Sequence, residues 1–307
     1  MKGLELSRRY YEEVCRPAIE RHFGRTLEKM AFGLAGDGSE CYGFDDEISR
    51  DHDFGPRIMI WILSSDYTEF GIELQKVFRN LPKKFLGYDG VNTSQYGKGR
   101  EGVFTINGFY KQFTGLDHPP SAIHEWRQIP EVNLSLATNG EVFDDPSGEF
   151  TGYRNLLLAG YPEDLRLKMM AARCMKIAQS GQYNYPRSLK RKEYVAARMA
   201  LAEFTDSAIS MIYLMNKKYK PFYKWMHRGL RSLSILGKET FNLFGTLSTS
   251  TQLSDNIDNM EKICSLIIDE LREEGLSDST SDFLLDHGPQ IQKGIKDENL
   301  RNMVPWG

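Results

Sequence analysis

"GLAGDGSECYGFDDEISRDHDFGPRIMIWIL", residues 33–63, holds the features on which the reading of the fold turns. A short apolar run ends in a glycine-rich turn. Six Asp and Glu follow between positions 40 and 53, the last two alternating as Asp51-His52-Asp53. The stretch closes on an Ile-rich, aromatic run that predicts a buried strand. "KMAFGLAG" (29–36) predicts another, so the acidic loop joins two strands. Gly36 and Gly38 let the backbone turn tightly and come close to a ligand. If Ser39 opens a short helix, its hydroxyl and amide groups form an anion site. In extended backbone Asp51 and Asp53 project to one face, where two carboxylates can share a hard cation, while His52 alternates away. An acidic surface turn before a strand is the plainer alternative, and Asp45, Asp46 and Glu47 are read as solvated loop.

Working outward, residues 4–22 have helical spacing, with Leu4, Tyr11, Val14, Cys15 and Ile19 on one side. "YTEFGIELQKVFRNL" (67–81) predicts a helix stopping at Pro82. "GVFTINGFY" (102–110) predicts a third strand with Glu101 at its edge, and "VNLSLATNGEVFDD" (132–145) a hairpin turning at Asn139-Gly140. From residue 151 the strand signal disappears. Residues 163–180, 190–219 and 256–274 carry sustained helical periodicity, whose Met and Leu stripes read as bundle core. The expectation is an α+β chain: a mixed-sheet domain over residues 1–150 followed by an all-helical domain over 151–307.

At 307 residues the chain can bury a sizeable core. It holds no apolar run near the ~20 residues that span a bilayer, and its first residues lack the apolar core of a signal peptide. Cys15, Cys41, Cys174 and Cys264 are scattered, which argues against a zinc or disulfide framework and fits a reducing cytoplasm. GxSxG, HExxH and Walker A motifs are missing from the sequence, and the glycine-rich "GKGRE" (97–101) reads as a flexible loop. Charge is divided unevenly. Residues 28–66 hold nine acids and three bases, a net of −6, while residues 176–231 hold twelve bases and three acids, a net of +9. An acidic half suits divalent cations and a basic half suits phosphates; two solvated faces are the alternative.

In the basic half, "YKPFYKWMHRG" (219–229) sets Tyr219, Tyr223 and Trp225 among Lys220, Lys224 and Arg228. Aromatic rings between cations suit a stacked base with phosphate contacts, and equally suit an amphipathic helix whose rings face the bundle. "RSLKRKEYVAAR" (187–198) reads as a guide for a polyanion such as RNA, a phosphate clamp, or a solvated face.

Gly38-Ser39, about a dozen residues, then Asp51-x-Asp53 leading into an apolar strand resembles the signature of the nucleotidyltransferase superfamily, which includes kanamycin nucleotidyltransferase and the minimal bacterial nucleotidyltransferases. The wider chain is similar to an uncharacterised bacterial domain-of-unknown-function family with that fold. The matching pieces are "GLELSRRYYEEVCRP" at the start, "SRDHDFGPR" (49–57), "YKPFYKWMHRGLRSL" (219–233) and "DFLLDHGPQIQKGIKDENLR" (282–301). The resemblance implies that Gly38 and Ser39 hold the triphosphate of ATP or another nucleoside triphosphate, and that Asp51 and Asp53 bind Mg²⁺ in a two-ion site. It also implies a helical domain closing over the nucleotide, with Lys224 and Tyr223 as contacts. The superfamily's third carboxylate lies on a later strand; here the strand has no internal acid, and Glu101 is the candidate. The reaction implied is transfer of a nucleoside monophosphate to an acceptor hydroxyl on a small molecule, a tRNA 3′ end or a protein. A protein that keeps the fold and binds nucleotide or RNA without catalysis is the alternative, and a helical interaction protein with an acidic surface loop is a third.

Overall fold

A computed structural model of the chain describes residues 1–50, 54–90 and 99–306. The chain forms two compact units, Met1–Ala159 and Gly160–Gly307. It is an α+β protein, its strands gathered in the first unit.

Four strands make the sheet: β1 (Ala31–Leu34), β2 (Met59–Ile62), β3 (Gly102–Thr105) and β4 (Glu141–Asp144), in the order β3-β2-β1-β4. β1 is antiparallel to both neighbours, with Gly33 opposite Met59 and Leu34 opposite Glu141. β2 and β3 are parallel, with Met59 opposite Gly102. The register brings the end of β1 and the starts of β2, β3 and β4 to one end of the sheet. Parallel neighbours need a crossover, and the helical stretch running from Ser64 to Arg79 supplies it.

β2 is buried on both faces, which is why its sequence is a continuous apolar run and not an alternation. Ile60 and Ile62 join Tyr11, Cys15 and Ile19 of the N-terminal helix and Leu74 of the crossover helix in one core. On the opposite side Trp61 stacks on Phe150 at 3.8 Å and meets the edge of Phe109 at 5.3 Å. The four cysteines are buried free thiols.

Two expected elements differ from those observed. The strand at 102–110 ends at Thr105, whose hydroxyl accepts the Gly108 N–H at 3.0 Å and so caps a helix over Ile106–Thr114. The expected hairpin is half helix: Glu131–Thr138 is helical and only Glu141–Asp144 is strand. The alternation Val132, Leu134, Leu136 imitates a strand, but Pro130 sets up the first turn of a helix. The acidic loop also differs at one residue. Asp45 is 2% exposed, accepts the N–H of Gly3 at 2.9 Å and pairs with Lys2, anchoring the start of the first helix instead of facing solvent.

In the second unit the described residues are helical throughout their regular structure. Glu163–Ile177, Tyr194–Met215 and Asp255–Glu273 bury Met170, Cys174, Phe204, Ala208, Ile212, Met260 and Ile267. A π turn, Ala178–Asn184, continues the first of these and sets Gly181 against Phe204; a β-carbon on Gly181 would lie 2.2 Å from that ring. Among the described residues no helix is long and apolar enough to cross a membrane.

The sheet sets a sharp expectation for Gly33→Ala. The added carbon would stand 2.3 Å from the Glu141 carbonyl oxygen and 2.9 Å from Trp61, so strands must move apart. A loss of about 1–3 kcal/mol in urea unfolding is expected.

Candidate functional site

The end of the sheet where four strand termini meet is built around the turn that follows β1. Gly36 (φ +96) and Gly38 (φ +134) hold backbone conformations that L side chains rarely adopt. At Gly38 there is a further reason: a β-carbon would lie 2.5 Å from the Glu40 carboxylate. Ser39 precedes one short turn of 3₁₀ helix, Glu40–Tyr42, and its carbonyl accepts the N–H groups of Tyr42 and Phe44. The half-buried Ser39 hydroxyl and the N–H groups of Gly38, Ser39 and Glu40 have no hydrogen-bond acceptor among the described residues. These are the donors an anion would use.

The turn is clamped from the β4 side. The Asn139 side chain accepts the Gly36 N–H at 2.7 Å and donates to the Gly36 carbonyl at 2.8 Å, a two-way pairing that imitates one rung of a sheet. Gly140 N–H donates to the Cys41 carbonyl at 2.7 Å, and Arg154 donates to the carbonyls of Asn139 and Gly140. The Asn139-Gly140 pair therefore serves as a clasp on the phosphate-turn candidate and not as the tip of a hairpin.

From below, the Glu40 carboxylate forms an ion pair with Arg57, which stands just ahead of β2 and is 2% exposed. Burial, together with the charge of Arg100, pulls the Arg57 guanidinium down to about 10; Glu101 and Asp37 act in the opposite sense. It stays cationic at neutral pH. One of its terminal nitrogens, Nη1, is buried without a hydrogen-bond partner.

Glu101 stands immediately before β3, and Gly102 N–H donates to the Ile58 carbonyl at 3.2 Å, tying that strand start to β2. Burial raises the Glu101 carboxyl above its ordinary range, and the charges of Arg57 and Lys83 only partly offset this. Gly38, Ser39 and Glu101 thus share one end of the sheet. Asp51 and Asp53 lie outside the described residues, between the acidic loop and Arg57. Among the described residues no three His, Cys, Asp or Glu side chains group as a metal set.

Tyr223 and Lys224 belong to the second unit, at the start of the helix Tyr223–Gly229. Both are exposed, and Lys224 lies over the Trp225 ring at 5.1 Å. Tyr219 is buried edge-on to Tyr161, and Lys220 is taken up by Asp206. The aromatic-basic segment is therefore part core and part exposed face.

Arg57, Glu40 and Asn139 were not expected from sequence. A signal existed only for Arg57, a charge set directly against an uninterrupted apolar strand.

Comparison with known proteins finds partial similarities. A family model described as "Domain of unknown function (DUF4037)" matches residues 126–226, which include Tyr223 and Lys224 but not the turn at Gly38. No curated protein matches the chain. Among solved structures, a nucleotidyltransferase-like protein from Exiguobacterium sibiricum 255-15 is similar at 10% identity and a TM-score of 0.39, over 93% of this chain and 81% of that one.

Removing Arg57 alone should strand a carboxylate. Arg57→Met is expected to cost about 3–5 kcal/mol, and adding Glu40→Gln should recover much of that, as read from a double-mutant cycle in urea. Glu101 supplies a pH test. Its raised proton affinity means the folded state holds the proton more tightly than the unfolded chain. That stabilisation is present below about pH 4.5 and is lost as pH rises through the folded value. Glu101→Gln should therefore be more stable than the parent at pH 7 and indistinguishable from it near pH 4.

Proposed function

We propose that the chain is a Mg²⁺-dependent nucleotidyltransferase, moving a nucleoside monophosphate from a nucleoside triphosphate such as ATP to an acceptor hydroxyl. The observation that carries this reading is the pairing of unclaimed donors at Gly38–Glu40 with a carboxylate of raised proton affinity, Glu101, at the same end of the sheet. In the sequence between them Asp51 and Asp53 stand eight and six residues ahead of Met59, the first residue of β2. Three carboxylates form an all-oxygen donor set of the kind Mg²⁺ takes. That Glu101 remains undercompensated beside Arg57 and Lys83 leaves room for further positive charge. The metal, when bound by Asp51, Asp53 and Glu101, would neutralise the triphosphate.

The chain's own groups then have separable tasks. The Gly38–Glu40 amides and the Ser39 hydroxyl bind the β- and γ-phosphates and orient the α-phosphate. The acceptor oxygen bonds to the α-phosphorus as the α–β bridging P–O bond breaks, and pyrophosphate departs. The hydroxyl proton passes to a carboxylate oxygen of Glu101. Tyr223 and Lys224, in the second unit, offer an exposed ring and cation of the kind a nucleotide takes.

One observation favours a second reading, a nucleotide-binding protein without catalysis. Arg57 already places a buried positive charge beside Glu101, which weakens its claim on a metal.

Calorimetric titration with each nucleoside triphosphate, with and without Mg²⁺, separates the readings when run beside a pyrophosphate-release assay across acceptors. Asp51→Ala should abolish Mg²⁺-dependent binding with less than about 1 kcal/mol change in stability. Ser39→Ala should weaken binding by about fivefold, the worth of one hydrogen bond. Tight binding with no release would favour the second reading, and no binding at all would sink both.

A further inference from the structure

We infer that the start of the long helix in the second unit, with the turn before it, is a docking surface for single-stranded RNA. The helix Tyr194–Met215 is buried along most of its length, through Ala197, Leu201, Phe204, Ala208 and Ile212. Its first turns stand clear: Tyr194 is 55%, Val195 77% and Met199 70% exposed. Spacing at i, i+4 sets Tyr194 beside Arg198 and Val195 beside Met199.

Around these apolar groups the charge is of one sign. Arg187, Lys190, Arg191, Lys192 and Arg198 are all exposed, and among the described residues none forms an ion pair. Glu193 is the one acid within the segment. The helix's first turn contains no acid, although its dipole favours negative charge there. Arg187 and Lys190 close the preceding helix Tyr185–Lys190, whose dipole they suit, but five exposed cations gathered at this junction repel one another, and those at the start of the long helix gain nothing from its dipole. A polyanion would relieve that cost.

The rings narrow the kind of polyanion. The Arg187 guanidinium lies over Tyr183 at 4.7 Å, and both Tyr183 and Tyr194 are exposed. Cations that follow a backbone, interleaved with flat rings, match a strand whose bases are unpaired and free to stack. A duplex hides those faces. A membrane would instead need a continuous apolar stripe, and this helix turns its stripe into the bundle. The choice of RNA over DNA rests on the proposed reaction, since an RNA end presents the acceptor hydroxyls; binding of the strand does not.

The test is fluorescence anisotropy with a labelled oligo(U) of about 12 nucleotides, within the span of single-strand sites, using the full chain without nucleotide or Mg²⁺. Five phosphate contacts predict roughly 100-fold weaker binding on moving from 50 to 200 mM salt. The triple variant Lys190→Glu/Arg191→Glu/Lys192→Glu should lose most binding and flatten that dependence, with its melting curve kept. Tyr194→Ala, which leaves the charge alone, should weaken binding about tenfold without changing the salt slope. Ser39→Ala should bind the strand as the parent does, so failure of the catalytic reading leaves this result intact. RNA binding unchanged in the triple variant would overturn the proposal. So would binding to phosphatidylserine vesicles where the oligonucleotide is ignored, and equal affinity for oligo(dT) would overturn the choice of RNA.

Discussion

The ion pair between Arg57 and Glu40 joins what the first unit must hold in register. It fastens the turn after β1 to the chain ahead of β2, beneath Gly38, where any side chain would strike the Glu40 carboxylate. Two charges removed from water are expensive, and their attraction returns that cost only when geometry and surroundings are suitable. Here Glu101 and Asp37 supply further negative charge near the guanidinium. A hydrophobic pair could fill the same space, but it would not fix the direction of the turn's amides. The arrangement gives up some stability in return for one defined conformation at the end of the sheet.

Much of the fold was legible in the sequence because burial writes itself into composition. "RIMIWIL" is apolar without alternation since β2 is covered on both faces, and the helical half announces its bundle through spacing alone. The misread segments are those where a local hydrogen bond outweighs pattern. Thr105 converts the second half of an apparent strand into helix by capping it. Asn139-Gly140 resembles a hairpin tip, yet the amide is spent on Gly36. Asp45 looks like any loop acid, and only the approach of the N-terminal helix makes it an anchor.

The candidate site was legible to a different depth. Glycines and a serine after a strand say that a backbone turns there and that an anion could be received. They do not say what supports the turn, because Arg57, Glu40 and Asn139 meet only in three dimensions. Nor does sequence separate a buried carboxylate from a solvated one at Glu101; that distinction comes from burial beside β2 and from the cations that face it.

The π turn at Ala178–Asn184 bears on the second unit in one further way. An α-helix advances about 100° per residue, so the extra residue of a π turn rotates everything after it by about that angle. The turn seats Gly181 on Phe204, and the same rotation sets the azimuth at which Tyr185–Lys190 leaves the bundle. Deleting one residue there would preserve composition, charge and helix content while swinging Arg187 and Lys190 a quarter turn around the axis. The direction in which the cations point is thus a matter of helical phase, set by a glycine well before them in the chain.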